Sequence, residues 1–457
     1  MTPGLRGGPG APRRRTRLAL TALGVGLAVA AVGCTSGSND AATSSAPAGP
    51  LSVLVGGGLG EEPLEGLADG TLTGTTAVLP GAVVSDDLNT RLQQSAPRVA
   101  AKGLRFAPES YDAVVLAALA AVAAQTDDGA QVAEEMTAVS SGGTRCSSFA
   151  ECLPLAQKGA DLDYDGVSGP LPLGADGSPT EASVAVATFD GTNQLPGINA
   201  PADTANPVTY RTGQLPKDAS GSASPSGATS TTSAPGAGDG VLTVATVLPT
   251  SGSLGDLGRA ELAGVRLAVS DIDAAGGVFG RAVALDVTDG GDPATTDDAA
   301  LAADAVSGGA DVVVGGGAQD LGVPLVAPVT DAGAVLVSPA DASAAYGAAG
   351  DHGLAFRTVA PPEVLGVVAG RIASGDGGTV GLLSPRGSDG RSTAQAVTGS
   401  VAAAGGSIAA RATFGTSDGS QKRAVAKVGA AQPDAVAVVV TDDPTALLTA
   451  LADAGLL

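Results

Sequence analysis

Aromatic side chains make up only 2% of the 457 residues, and there is no tryptophan. A core must therefore be assembled from Ala, Val and Leu, which suits helices packed on sheets. There is one histidine, His352, and there are three cysteines. That set lacks the ligands of a metal site, and His352 in "AAGDHGLAF" reads as a surface-turn residue. The G-x-S-x-G match "GTSDG" at 415–419 follows this histidine, against the Ser…Asp…His order that goes with the motif, and Gly and Ser are common enough for chance matches. "GGGLG" at 56–60 lacks both the Lys-Ser/Thr of a phosphate loop and the G-x-G-x-x-G spacing; it reads as a strand-end turn. Basic residues are scarce, with 24 Lys and Arg against 46 Asp and Glu and a net charge of −22. Nucleic acid needs a basic groove and is excluded as a partner. No catalytic centre, metal or cofactor is expected.

Residues 1–33 carry five Arg and no acid. A basic stretch, "RGGPGAPRRRTR", precedes the apolar run "LALTALGVGLAVAAVG", which is shorter than the roughly 20 residues of a membrane span. The run ends in "AVGC". This reads as a lipoprotein signal, with cleavage before Cys34 and a lipid on its thiol. Ala31 stands where Leu is usual, so an ordinary signal peptide with an incidental cysteine is the alternative; the choice between general and twin-arginine export stays open. Cys146 and Cys152, in "GGTRCSSFAEC", form a close pair that in an exported chain is expected to be a disulfide.

Beyond the signal, residues 34–50 read as a flexible tether. A folded segment is expected over 51–195, a Pro/Ser/Gly linker over 196–240 and a second folded segment over 241–457. The second alternates apolar strands with helices, from "VLTVATVLP" and "ELAGVRLAVSDIDAAGG" to "AVAVVVT" and "DPTALLTALADAG". Such alternation means parallel sheets covered on both faces. The first opens on the strand "LSVLVGG", continues through "TTAVLPG" and two helices, and reaches two strands around a turn in "GPLPLGADGSPTEASVAVATFDG".

Residues 240–457 resemble the N-terminal part of the branched-chain amino-acid binding proteins of ABC importers, through "LPTSGSLGDLGRAELAGVRLAVSDIDAAGGVFGR", "DVVVGG", "AVLVSPADAS" and "FRTVAP". Residues 51–195 resemble the family's remaining part, through "FAPESYDAVVLAALA" and "GGTRCSSFAECLPLAQKGADLDYDGVSGP". The order is reversed, so the chain resembles a circular permutant in which "ADAGLL" at the end would flow into "LSVLVGG" at 51. The resemblance implies a two-lobed α/β fold of the type I periplasmic-binding-protein class. Lobe one would combine about 83–190 with 241–357, and lobe two 51–82 with 361–457. It further implies a lipoprotein anchored outside the cell membrane through Cys34, delivering a small solute to ABC permease subunits. A sensory or scaffold protein that kept the fold without tight ligand binding is the alternative.

By the same resemblance the ligand loops hold Gly317, Ala318 and Gln319, then Ala340, Ala342 and Ser343. Tyr111 matches an aromatic position, Leu257 stands where another aromatic is expected, and Gly58, Asp389 and Asp442 fall at ligand positions of the second lobe. Ala318, Gln319 and Ala342 replace residues that are usually hydroxylic. An α-amino acid needs donors for its carboxylate and an acid for its ammonium. Weak binding of leucine, isoleucine and valine is therefore expected, with a more polar or cationic ligand such as an amide preferred.

Overall fold

The computed structural model describes residues 50–56, 59, 64, 66–195, 208–216, 238–440 and 444–457, without the side chain of Asp389. Cys34, Gly58 and Asp442 lie outside the described residues.

The first segment opens with β1 (Leu51–Val55) and β2 (Thr76–Pro80). Four helices follow: α1 (Asp86–Ser95), α2 (Pro97–Ala100), α3 (Ala107–Ala124) and α4 (Gly129–Val139). Ser85 caps α1 by accepting from the Leu88 amide, and Asp128 caps α4 through the Gln131 amide, as short polar side chains do at helix starts. Then come β3 (Thr144–Cys146), α5 (Phe149–Ala156), β4 (Leu162–Gly166), β5 (Gly169–Pro170) and β6 (Glu181–Thr188). Ser148 caps α5 by accepting from the Glu151 amide, and Glu151 Oε2 accepts from the Ser147 amide and hydroxyl. Cys146 and Cys152 are joined, with Cα atoms 5.4 Å apart, tying β3 to this helix.

The chain continues with β7 (Thr209–Gln214), β8 (Thr243–Leu248), α6 (Gly255–Ala274), β9 (Ala284–Asp289), α7 (Asp298–Ser307) and β10 (Val312–Gly315). Next are α8 (Val323–Thr330), β11 (Val335–Ser338), α9 (Ala344–Ala348), β12 (Ala355–Arg357) and α10 (Pro362–Ser374). The last elements are β13 (Thr379–Pro385), α11 (Ser388–Ala403), β14 (Ser407–Phe414), α12 (Asp418–Gly429), β15 (Ala435–Val439) and α13 (Thr445–Asp453).

Two large sheets organise these elements. The five-stranded sheet, in the order β12-β11-β10-β8-β9, is wholly parallel. Val312, Val314, Val335 and Val337 face α3, α4 and α6 on one side, while Val313 and Leu336 face α7 and α8 on the other. The seven-stranded sheet, in the order β14-β13-β15-β1-β2-β6-β7, is parallel through β2, after which β6 and β7 are antiparallel. Strand alternation sends Val53, Val55 and Val78 towards α10 and α11, and Leu54, Ala77 and Leu79 towards α12 and α13. The helix α3 is apolar and long enough to span a membrane, but 16 of its 18 residues are buried. It fills the interior between α4 and α6.

Besides the connection from β7 to β8, the chain passes between the two sheets three times, after β2, after β5 and after β12. The second and third passages touch, since the Arg357 amide donates to the Gly177 carbonyl at 2.9 Å. Three sequence expectations need correction. Residues 209–214, assigned to the linker, form β7, an edge strand paired with β6. The expected strands around the 170–188 turn share only the bridge Leu173–Pro179; β5 pairs with β4, and β6 with β2 and β7. The second passage therefore comes before 181, so β6 belongs to lobe two, not to a lobe one reaching 190. An antiparallel partner for β2 requires the chain to return to that sheet, which the local pattern of β6 does not reveal. The helix α10 and the strand β12 were not anticipated.

Candidate functional site

Because β11, β10 and β8 are parallel neighbours, their C-terminal ends open onto one edge of the sheet. Ligands of open parallel sheets bind at such an edge. The loops there are 249–254, 316–322 and 339–343.

Two of these loops are locked by a fully buried carboxylate. Asp341 accepts from the amides of Gly322 at 2.9 Å and Ser343 at 2.8 Å. Ser338 Oγ donates to the Gly316 carbonyl at 3.1 Å and accepts from the Asp341 amide at 3.0 Å. The Arg357 guanidinium donates to the carbonyls of Asp341 and Ser343 and lies 5.1 Å from the centre of the Tyr346 ring. Ser343 Oγ caps α9 through the Tyr346 amide at 3.2 Å. Its polar groups are thus engaged within the protein and its side chain is buried. A serine at the start of a helix serves the helix first.

Gly317 and Ala318 follow β10 directly and are buried. A Cβ on Gly317 would come 2.3 Å from Oε2 of Glu261 and 2.7 Å from Cδ of Pro249, so glycine lets this loop pass close to the buried Glu261 side chain on α6. Gln319 is half-buried, and its Oε1 is buried with no hydrogen-bond partner among the described residues. Ala340 and Ala342 pack against the ring of Phe106, together with Val359 and Leu257. Phe106 precedes α3 with a φ of 60°, a region where a bulky residue is uncommon.

Tyr111, expected as the aromatic of the site, is instead on the α3–α6 interface. Its hydroxyl donates to Asp271 Oδ2 at 2.7 Å, and burial pushes its pKa up. The aromatic against the two alanines is Phe106, one helical turn earlier. The sequence signal was the scarcity of aromatics itself: there are six Phe in the chain, and one falls in the motif "RFAPESYDAVV". Asp389 carries no described side chain, and Gly58 and Asp442 lie outside the described residues.

Charged groups cluster behind the loops. Arg105 lies 4.8 Å from the centre of the Phe106 ring. Glu109 is buried, its carbonyl accepts from Thr358 Oγ1 at 2.8 Å, and its Oε2 has no hydrogen-bond partner among the described residues. Burial raises its pKa to about 8, aided by Asp112 and opposed by its own backbone amide and by Arg105. Glu109 is therefore largely protonated at neutral pH. Glu261 was legible in principle. With Val265, Ala268 and Ile272 it falls on the core face of α6 by helical spacing, where a charge has a specific reason to be. The mouth thus lacks side-chain hydroxyls at Ala318, Ala340 and Ala342 and offers an orphan acceptor at Gln319.

The segment that carries these loops, residues 241–457, matches the family model described as periplasmic binding protein. The match covers just under half of the chain. No curated protein matches the chain. Among solved structures, the chain is similar to solute-binding proteins of several bacteria. The substrate-binding protein LivJ of Streptococcus pneumoniae, in complex with isoleucine, is 25% identical with a TM-score of 0.32, covering 43% of this chain and 56% of that one. An ABC transporter substrate-binding protein from Desulfitobacterium hafniense, in complex with Leu, is 23% identical with a TM-score of 0.37, covering 48% and 64%. A solute-binding protein of Rhodopseudomonas palustris, in complex with 3,4-dihydroxy benzoic acid, is 16% identical with a TM-score of 0.34, covering 48% and 60%. The chain spans less than two thirds of the length of each. Periplasmic binding proteins are defined by binding and not by a reaction.

Proposed function

We propose that this protein is an extracytoplasmic solute-binding lipoprotein that holds an amino acid, amide or similar small polar solute between its lobes and delivers it to an ABC permease. Gln319 carries this reading: its buried, orphan Oε1 lies in the loop after β10, within the segment that matches the periplasmic binding protein model. A buried acceptor without a donor costs roughly 1–3 kcal/mol, which a ligand N–H would offset. The missing hydroxyls at Ala318 and Ala342 favour such a donor-bearing ligand over a strongly held carboxylate. Gly58, Asp389 and Asp442 would face the solute from lobe two.

Calorimetry on the soluble chain, with glutamine, asparagine, simple amides and the branched amino acids, tests the reading. An amide-bearing solute should bind, and Gln319→Leu should weaken it by about tenfold or more. Micromolar or tighter binding of leucine, isoleucine or valine would refute the ligand class. The membrane anchor would be the lipid on Cys34, so Cys34→Ser should abolish metabolic labelling with a fatty acid, and persistent labelling would exclude it.

The reversed segment order is best read as a circular permutation. Ser52 Oγ donates to the Leu456 carbonyl, so the last residues lie beside the start of β1, and β1 continues the sheet next to β15. A chain rejoined from Leu457 to Leu51 and opened between 216 and 238 should therefore fold and melt like the parent; failure to fold would overturn the permutation.

A further inference from the structure

We propose that the cavity between β7 and α10 is a second binding site, specific for a small organic anion with an apolar body. The cavity has a volume of about 520 Å³ and is lined by Arg211, Thr212, Val368, Arg371 and Ile372. Such a volume suits a small molecule and not a folded partner.

The lining follows from two periodicities. Val368, Arg371 and Ile372 stand at i, i+3 and i+4 of α10 and share one face. Arg211 and Gly213 alternate onto the same face of β7. A Cβ on Gly213 would come 2.6 Å from Val364 Cγ1 and 2.9 Å from Val368 Cγ2. Glycine therefore lets β7 lie directly against the helix, which brings Arg211 to the same cavity as Arg371.

Acids outnumber bases by 46 to 24 in this chain. Even so, among the described residues neither Arg211 nor Arg371 is ion-paired to a carboxylate. Most arginines of the described residues are likewise without an ion pair, and what distinguishes these two is that they line one cavity. Two unpaired guanidiniums at one cavity offer planar forks for a carboxylate. Beside them, Val368 and Ile372 supply apolar surface for the rest of the molecule. The site is separate from the interlobe mouth. Arg371 is nine residues past Pro362, which starts α10 after the third passage, or about 14 Å along the helix. It also lies by the N-terminal end of β13, so it opens at the opposite end of the parallel strands from their ligand-bearing edge.

The test is a titration of the full chain with octanoate, octylammonium and inorganic phosphate at low salt, followed by calorimetry and by backbone amide shifts. Octanoate is expected to bind and to move the amides of Arg211–Gly213 and Val368–Ile372, leaving those of the 339–343 loop in place. The variant carrying Arg211→Ala and Arg371→Ala should lose about tenfold or more in octanoate affinity while keeping its melting temperature. Octylammonium or phosphate binding as tightly as octanoate would overturn the proposal, as would unchanged octanoate binding in the double variant. Shifts confined to the 339–343 loop, or no octanoate binding at all, would also overturn it.

Discussion

The two large sheets are built from the chain in different ways. All five strands of the smaller sheet come from residues 243–357, in one run of strand and helix. The larger sheet gathers strands from 51–80, 181–214 and 379–439. Its central strand, β1, sits between β15, from the far end of the chain, and β2. One sheet can assemble largely from neighbours in sequence, whereas the other must first close long loops, a cost that rises with separation. The smaller sheet is not self-sufficient, however, because α3 and α4 from the first segment cover one of its faces.

The largest expected effect comes from splitting the chain. Residues 241–457 alone keep β13, β14 and β15 but lose the four other strands of the larger sheet. Val436 and Val438, fully buried beside β1, would face water. Thermal circular dichroism should show no cooperative melt, and adding the 49–216 piece should restore one. A cooperative transition in 241–457 alone would mean that the two sheets are less interdependent than their strand order implies.

Single side chains sharpen the contrast between centre and edge. Leu54→Ala, on the central strand and fully buried, should cost about 2–5 kcal/mol by denaturant unfolding. Val287→Ala, on edge strand β9 with 43% exposure, should stay within about 0.5 kcal/mol. Similar costs at both positions would erase the distinction. Replacing Cys146 and Cys152 by Ser opens a loop of sequence separation 6 and should cost about 2 kcal/mol. Hydrogen exchange should rise around β3 and α5 while β1 and β15 keep their protection.

The smallest expected effect is a pH dependence in the lobe of the five-stranded sheet. The Glu109 pKa rises from 4.5 to about 8 in the folded protein, so folding favours its protonated form. The corresponding stability is complete below about pH 4.5 and is lost as pH rises towards 8. Asp311, raised to about 7 mainly by burial and then by Asp127, Asp239 and Asp128, acts in the same sense. Glu109→Gln should therefore lessen the fall in melting temperature between pH 6 and 9 by a few degrees. An unchanged slope would show that Glu109 does not bind a proton there.

Elements with a clean period were readable in the sequence. The helix α6 shows its apolar face every three or four residues, and strands such as β8, β10 and β15 are short apolar runs. The helix α10 is buried almost all round, so "PPEVLGVVAGRIAS" carries little amphipathic contrast and escaped notice. The strand β7 is polar and mostly exposed, as an edge strand can be, and it lies in a stretch whose Pro and Ser suggest a linker. At the candidate site the loops were legible from their place after apolar strands. The roles within them were not: Ser343 reads equally as a ligand donor or a helix cap until the Tyr346 amide is seen at 3.2 Å. Tyr111 and Phe106 stand five residues apart on opposite sides of a helix start, and only packing assigns one to Asp271 and the other to Ala340 and Ala342.

By itself the sequence determined the α/β class, the alternation of strand and helix, and the two folded segments. These follow from composition and local period, which any stretch of a dozen residues carries on its own. Tertiary structure decided where β1 inserts, which sheet takes β6 and β7, which aromatic meets the 339–343 loop, and that Arg211 and Arg371 share a cavity. Those outcomes depend on pairing between residues far apart in the chain, where backbone hydrogen bonds are indifferent to sequence and the fit of buried side chains makes the choice.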